Sequence, residues 1–188
     1  ERLTREEANG KTGCYCAFWH QKWNSMEEWQ RRQKEDPLKN RDIVRSRMHS
    51  GFHVGTLAYK EGELLAWISV SPLPEYYWTW RRTLRVGEQA PKVAGIACIN
   101  IVPRWRGQGY QIHLLKQLKS YAGRKGWTML EGYPFDEAAH KRHGDQVAWP
   151  GYPEAFLKAG FEKTEPHWLS SEEYPRSIYR FRVSETFA

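Results

Sequence analysis

Apolar positions recur at helical spacing near the start of the chain and later give way to strand-like patterns. Residues 26–34, MEEWQRRQK, put Met26, Trp29 and Gln30 on one stripe behind a capping Asn24 or Ser25, which predicts a surface helix. A second helix is predicted over residues 41–49, where Ile43, Val44, Arg47 and Met48 share a face and Gly51 supplies the stop. The period then changes: Val54, Leu57 and Tyr59 precede Glu61-Gly62, and residues 64–70 are rich in strand formers, the pattern of a hairpin. Pro72 and Pro74 end it, and residues 75–91, EYYWTWRRTLRVGEQAP, read as a long loop. The nearly continuous apolar run VAGIACINIVP, residues 93–103, is what a strand buried on both faces requires. Ile112, Leu115, Leu118, Tyr121 and Ala122 predict a helix from Gly109 to about Lys125, ended by Gly126. A strand over Thr128 to Tyr133, a short helix over Pro153 to Ala159, and strands from Phe161 and over Ser177 to Val183 complete the series, with Asp136, His140, His143 and Asp145 read as loop residues. Helices, a hairpin, then strand, helix, strand, helix and strands describe a mixed α/β sheet domain.

The 188 residues suit one compact domain with extensions, and the net charge of +7 favours an anionic partner: nucleic acid, a phosphorylated cofactor or an acidic substrate. A mean hydropathy of −0.80 leaves no long apolar span, so no membrane segment is expected, and the polar opening ERLTREEANGKTG has no apolar secretory core. The chain is therefore read as cytoplasmic. Three cysteines, an odd number, argue against a disulfide framework and suit a reducing compartment.

The stretch PRWRGQGYQIHLL carries the chemistry, because a Gly-rich turn between a strand and a helix leaves backbone N–H groups unpaired at the positive end of the helix dipole. It is not a nucleotide-triphosphate loop, since no Gly-Lys-Ser/Thr follows, nor a dinucleotide fingerprint, since the third glycine is absent. INIVPRWRGQGYQIHLL resembles the acetyl-CoA-binding motif of the GNAT family of N-acetyltransferases. Arg106-Gly107-Gln108-Gly109-Tyr110-Gln111 matches that family's Arg/Gln-x-x-Gly-x-Gly/Ala except at Gln111; a competing register, Arg104-x-x-Gly107-x-Gly109, satisfies the letters fully, and the first is preferred because it leaves the usual spacing from loop to the Leu-Leu pair of the helix. YPEAFLKAGFEK resembles the later family motif in which a helix ends in Gly-Phe before a strand. With the EGELLAWISV hairpin the similarity spans roughly Val54 to Lys163 in family order, and CYCAFW, LEGYP and GYPEAFLKAGF resemble a poorly characterised bacterial branch.

The resemblance implies one GNAT-like domain over residues 1–188: an N-terminal helical segment (1–50), a core (54–163) and C-terminal strands (164–188). Its mixed, mostly antiparallel sheet would be flanked by helices and splayed at two central strands. It implies acetyl-CoA as acyl donor, with Arg106, Gly107, Gln108, Gly109, Tyr110 and Gln111 at the pyrophosphate and the backbones of Ile99 and Ile101 at the pantetheine arm. A small-molecule or peptide amine would be acetylated by direct attack. Family members often place a tyrosine acid where this chain has Phe156, so Tyr152 or Tyr133 is the substitute, or the thiolate leaves unaided. Glu131, a charge within an apolar strand, is the candidate base, acting directly or through water, with a salt bridge or an exposed edge as the alternative. The other class of function is a catalytically silent acyl-CoA-binding sensor or interaction module.

Cys98, in an apolar strand, reads as a small hydrophobe rather than an acyl carrier, and Cys14 and Cys16 with His20 lack the spacing zinc prefers, so no metal is expected. Tyr76, Tyr77, Trp78, Trp80, Arg81, Arg82 and Arg85 interleave aromatic and basic side chains. An acceptor-pocket wall is the favoured reading there and nucleic-acid contact the lesser one. A homodimer is compatible with the sequence.

Overall fold

The structure, a computed structural model, describes residues 14–77 and 92–183. Trp78, Trp80, Arg81, Arg82 and Arg85 of the basic aromatic stretch lie outside the described residues, as does most of the long loop.

Helix α1 (Met26–Glu35) begins where Ser25 accepts the Glu28 amide at 3.1 Å while the Glu28 carboxylate accepts the Asn24 amide at 2.9 Å. These bonds satisfy two donors at the helix entrance. Helix α2 (Pro37–His49) starts four residues before the apolar spacing indicates, because Pro37 is preset for the first helical position and has no amide to lose there. Strands β1 (Thr56–Lys60) and β2 (Glu63–Pro72) form the expected hairpin. They are followed by β3 (Val93–Ile101), α3 (Tyr110–Arg124), β4 (Met129–Gly132), α4 (Glu137–His143), α5 (Pro153–Lys158), β5 (Glu162–Pro166) and β6 (Ser177–Arg182). Helix α4 corrects the loop reading of residues 136–145. Its seven residues bury only Ala139, so no apolar repeat marks it.

The six strands lie in the order β1-β2-β3-β4-β6-β5, parallel between β3 and β4 and antiparallel at the other pairings. Leu114, Leu115 and Leu118 of α3 and Phe156 of α5 cover one sheet face, packing with Ile68, Ile96, Ile99 and Leu130. Each such side chain contributes roughly 1.5–3 kcal/mol through burial. On the opposite face lie the turn Ala17–His20 and Tyr76, whose hydroxyl donates to the Gly95 carbonyl at 3.1 Å.

The site depends on one irregularity. Ser69 pairs with Cys98, but the next residue, Val70, pairs with Ile96, which leaves Ala97 as an unmatched bulge in β3. The parallel pairing of β3 with β4 ends at the same level, at Ile96 opposite Gly132. Beyond it β3 runs on to Ile101 without β4 beside it, so the two central strands part and an edge of β3 faces the gap.

Candidate active site

The loop that joins β3 to α3 stands at the end of this edge. Val102 and Pro103 accept the amides of Trp105 and Arg106 at 2.9 and 3.1 Å, which closes one turn. Among the described residues, the next five amides, from Gly107 to Gln111, have no carbonyl partner. Gly107 and Gly109 have φ of 71° and 77°, in the left-handed region where a side chain is strained, and a Cβ on either would meet nothing within 4 Å. The result is a row of donors without carbonyl partners, with open space beside both glycines, at the N-terminus of a 15-residue helix. That set fits a diphosphate.

The neighbouring side chains brace the loop. Arg106 donates from Nε to the Ile101 carbonyl at 2.8 Å, and Gln108 donates to the Arg104 carbonyl at 3.0 Å. Arg104 itself pairs with Glu63 at 3.0 Å. The Tyr110 ring meets Trp105 edge to face at 5.9 Å. Gln111 reaches across to Gly151, where its Nε2 lies 2.0 Å from the position a Cβ would take.

The edge of β3 is partly engaged by the protein. The Ile99 amide donates to the Trp149 carbonyl at 2.9 Å, so the segment leading into α5 crosses the gap. Ile101, two residues on and facing the same side, has its carbonyl taken by Arg106.

Glu131 lies in β4 with 1% of its surface exposed, and both its oxygens are occupied. Oε2 accepts from Tyr133 Oη at 3.0 Å and Oε1 from Arg180 Nε at 2.7 Å, while the remaining Arg180 nitrogens reach Glu165 at 2.9 and 2.7 Å. Tyr133 is the first residue past the β3–β4 pairing, and burial followed by the Glu131 charge pushes its phenol well above the usual value. Tyr152 caps α5, stacks on His140 at 4.7 Å and is 45% exposed; partial burial raises its phenol. The structure thus brings Glu131 and Tyr133 together at the parting of the strands, and Tyr152 lies on a separate element beside His140. Phe156 is fully buried; a Cβ on Gly132 would come within 2.1 Å of its ring, so only glycine allows that approach.

Several site features carry no sequence signal of their own. Tyr15 and Cys16 both adopt left-handed backbone, with φ of 47° and 57°, in a turn closed by the Ala17 amide on the Cys14 carbonyl at 3.0 Å. The turn brings Cys16 into contact with Cys14 and Cys98, whose thiols pull its ionisation well below the ordinary thiol range. Among the described residues no group of three or more His, Cys, Asp or Glu is arranged to hold a metal ion. His20, also buried, is pushed down to about 4 by burial and the Arg47 charge. On the far side of the gap Arg176 and His167, 3% and 2% exposed, follow and precede the turn between β5 and β6. The Arg176 guanidinium lies 3.7 Å from the Phe135 ring and 5.3 Å from that of Trp149.

The family model described as the acetyltransferase (GNAT) family matches residues 16–144, more than half of the chain. Solved structures with a similar fold include a GNAT-family protein of Desulfovibrio desulfuricans, 12% identical over 97% of this chain and 96% of that one, with a TM-score of 0.53. An N-acetyltransferase from Staphylococcus aureus Mu50 is 12% identical over 80% of this chain and 79% of its own, with a TM-score of 0.51. The aminoglycoside acetyltransferase AAC(6')-Ib, solved with paromomycin and acetyl-CoA, is 16% identical over 76% and 74%, with a TM-score of 0.53. At these identities the likeness is one of fold. None of the curated protein sequences matches the chain. No helix among the described residues is long and apolar enough to cross a membrane.

Proposed function

The chain belongs to the acetyltransferase (GNAT) family, whose acyl donor is acetyl-CoA, and from that premise we propose that it acetylates the primary amine of a small molecule or peptide by direct transfer. The observation that carries this reading is the run of five amides from Gly107 to Gln111, without carbonyl partners among the described residues, at the end of the β3 edge that β4 leaves uncovered. Those amides would hold the diphosphate, with Arg106, Gln108 and Tyr110 bracing the loop and Gln111 spacing it from Gly151. The Ile99 and Ile101 backbones would line the pantetheine arm. Acetyl-CoA supplies a thioester, an acyl group activated toward amines.

The protein's own part is to orient the amine, exclude water and take one proton. Tyr133 Oη already donates to Glu131 Oε2, so it can accept a proton from the amine while passing its own to the carboxylate. This relay uses the Glu131 charge without exposing it. The Tyr152 phenol stays protonated through the neutral range and is the group we assign to return a proton to the leaving thiolate.

Calorimetry with acetyl-CoA, followed by free-thiol release over an amine panel, tests the proposal. Binding with turnover supports it, binding without turnover on any amine identifies a silent acyl-CoA module, and no binding at millimolar acetyl-CoA rejects both. Tyr133→Phe keeps the ring packing and removes the relay, so kcat should fall roughly 10²- to 10⁴-fold with acetyl-CoA affinity unchanged. An unchanged kcat would remove Tyr133 and Glu131 from the proton path.

A further inference from the structure

Among the described residues Arg176 is a buried cation without a counter-charge. Its Nε and Nη2 are sealed from solvent and have no hydrogen-bond partner, and among the described residues no carboxylate lies within ion-pair distance. Arg180, four residues on in β6, shows the usual solution, with Glu131 and Glu165 on its nitrogens. Burial alone pushes the Arg176 guanidinium down to about 9, which leaves it charged at neutral pH. An uncompensated buried charge costs stability, and a counter-charge supplied from outside would recover that cost.

The geometry specifies that charge. Nε and Nη2 form one edge of the guanidinium plane, the two-pronged fork that matches the two oxygens of a carboxylate. His167, beside it, also leaves its buried Nε2 without a partner and is held down to about 3 by burial and the Arg176 charge, so it is neutral and the pair carries a single positive charge. One charge balances a monoanion better than a doubly charged phosphate. The location ties the fork to the reaction site: the His167 ring lies 4.8 Å from that of Tyr133, and Trp149, which lies against the guanidinium, also binds the Ile99 amide through its carbonyl. Of the two rings beside the guanidinium, Trp149 is 36% exposed and Phe135 is 8% exposed, so the Trp149 side is the one nearer solvent.

We propose that Arg176 determines acceptor specificity by receiving a carboxylate, so that the amine acetylated by this chain belongs to an amino acid or a similar carboxylate-bearing molecule. The inference rests on the acetyltransferase reading above and names its substrate class.

The test is calorimetry on the full chain saturated with CoA, using the twenty amino acids and the primary amide of each. At least one acid should bind, and its amide should bind roughly 30- to 100-fold more weakly. Arg176→Met should abolish that preference, leave acetyl-CoA affinity within about twofold, and raise the Tm of the ligand-free protein by relieving the unpaired charge. Arg176→Lys, which keeps the charge and loses the fork, should keep a reduced preference and serves if the methionine variant does not fold. Acids binding no better than amides, no acid binding at all, or a preference that survives both substitutions would overturn the proposal. Failure of acetyl-CoA itself to bind would instead reject the enzymatic reading on which it rests.

Discussion

Gly109→Ala separates the strain of the loop from its use. With φ of 77° and nothing within 4 Å of the added methyl, alanine at 109 meets no clash, so its cost is the left-handed backbone alone. That cost is roughly 1–2 kcal/mol. At about 2–4 °C per kcal/mol for a domain of this size, Tm should fall by about 2–8 °C. Ligand binding should suffer far more, because the added methyl would occupy the open space through which the diphosphate approaches the backbone. Each amide bond to a charged acceptor is worth roughly 1.5–3 kcal/mol, so holding the ligand off two of the five costs about 3–6 kcal/mol, a loss of roughly 10²- to 10⁴-fold in affinity. Differential scanning fluorimetry and titration calorimetry with CoA measure the two quantities on one preparation. If Tm falls as stated while CoA affinity stays within about threefold, the amides are strained for another reason and the diphosphate is held elsewhere.

Acid should destabilise the protein through its buried histidines. His20 and His167, held to about 4 and about 3 in the folded chain against 6.5 when free, bind protons only in the unfolded state between those values. Their stabilising contribution is therefore complete above pH 6.5 and is lost as pH falls. Between pH 7 and pH 5 the loss is about 2 kcal/mol for each. The double variant His20→Phe with His167→Phe should show a flatter Tm between those pH values, and an equal slope would mean that the imidazoles are hydrated. Gly132→Ala drives a methyl into the Phe156 ring and should cost about 1–3 kcal/mol in urea unfolding, with partial recovery when Phe156→Leu is added.

What the sequence could reveal depended on whether the physical cause was local. The strand before Pro103 and the glycine turn after it are local: an unbroken apolar run and two residues tolerant of positive φ announce themselves, and β3 and α3 lie where the pattern indicates. The hairpin at Glu61-Gly62 is legible for the same reason. Helix α4 is not, since EAAHKRH buries one alanine and has no stripe to read. Nor is the bulge at Ala97, which exists only in register against β2. Glu131 was conspicuous as a charge in an apolar strand, but its partner Arg180 is 49 residues away and is reached only by strand pairing. Arg176 follows a proline and precedes an ordinary strand, so its burial had to be seen in three dimensions.

The bond between the Trp149 carbonyl and the Ile99 amide means that the central gap is not vacant in this structure: a peptide group of the chain already occupies a donor of the edge proposed to line the pantetheine arm. Filling the groove is therefore an exchange of one acceptor for another, nearly neutral in hydrogen-bond energy. Its selectivity lies in what else the newcomer brings. A molecule able to dislodge the tryptophan ring as well as its carbonyl would gain both halves of the groove in one movement.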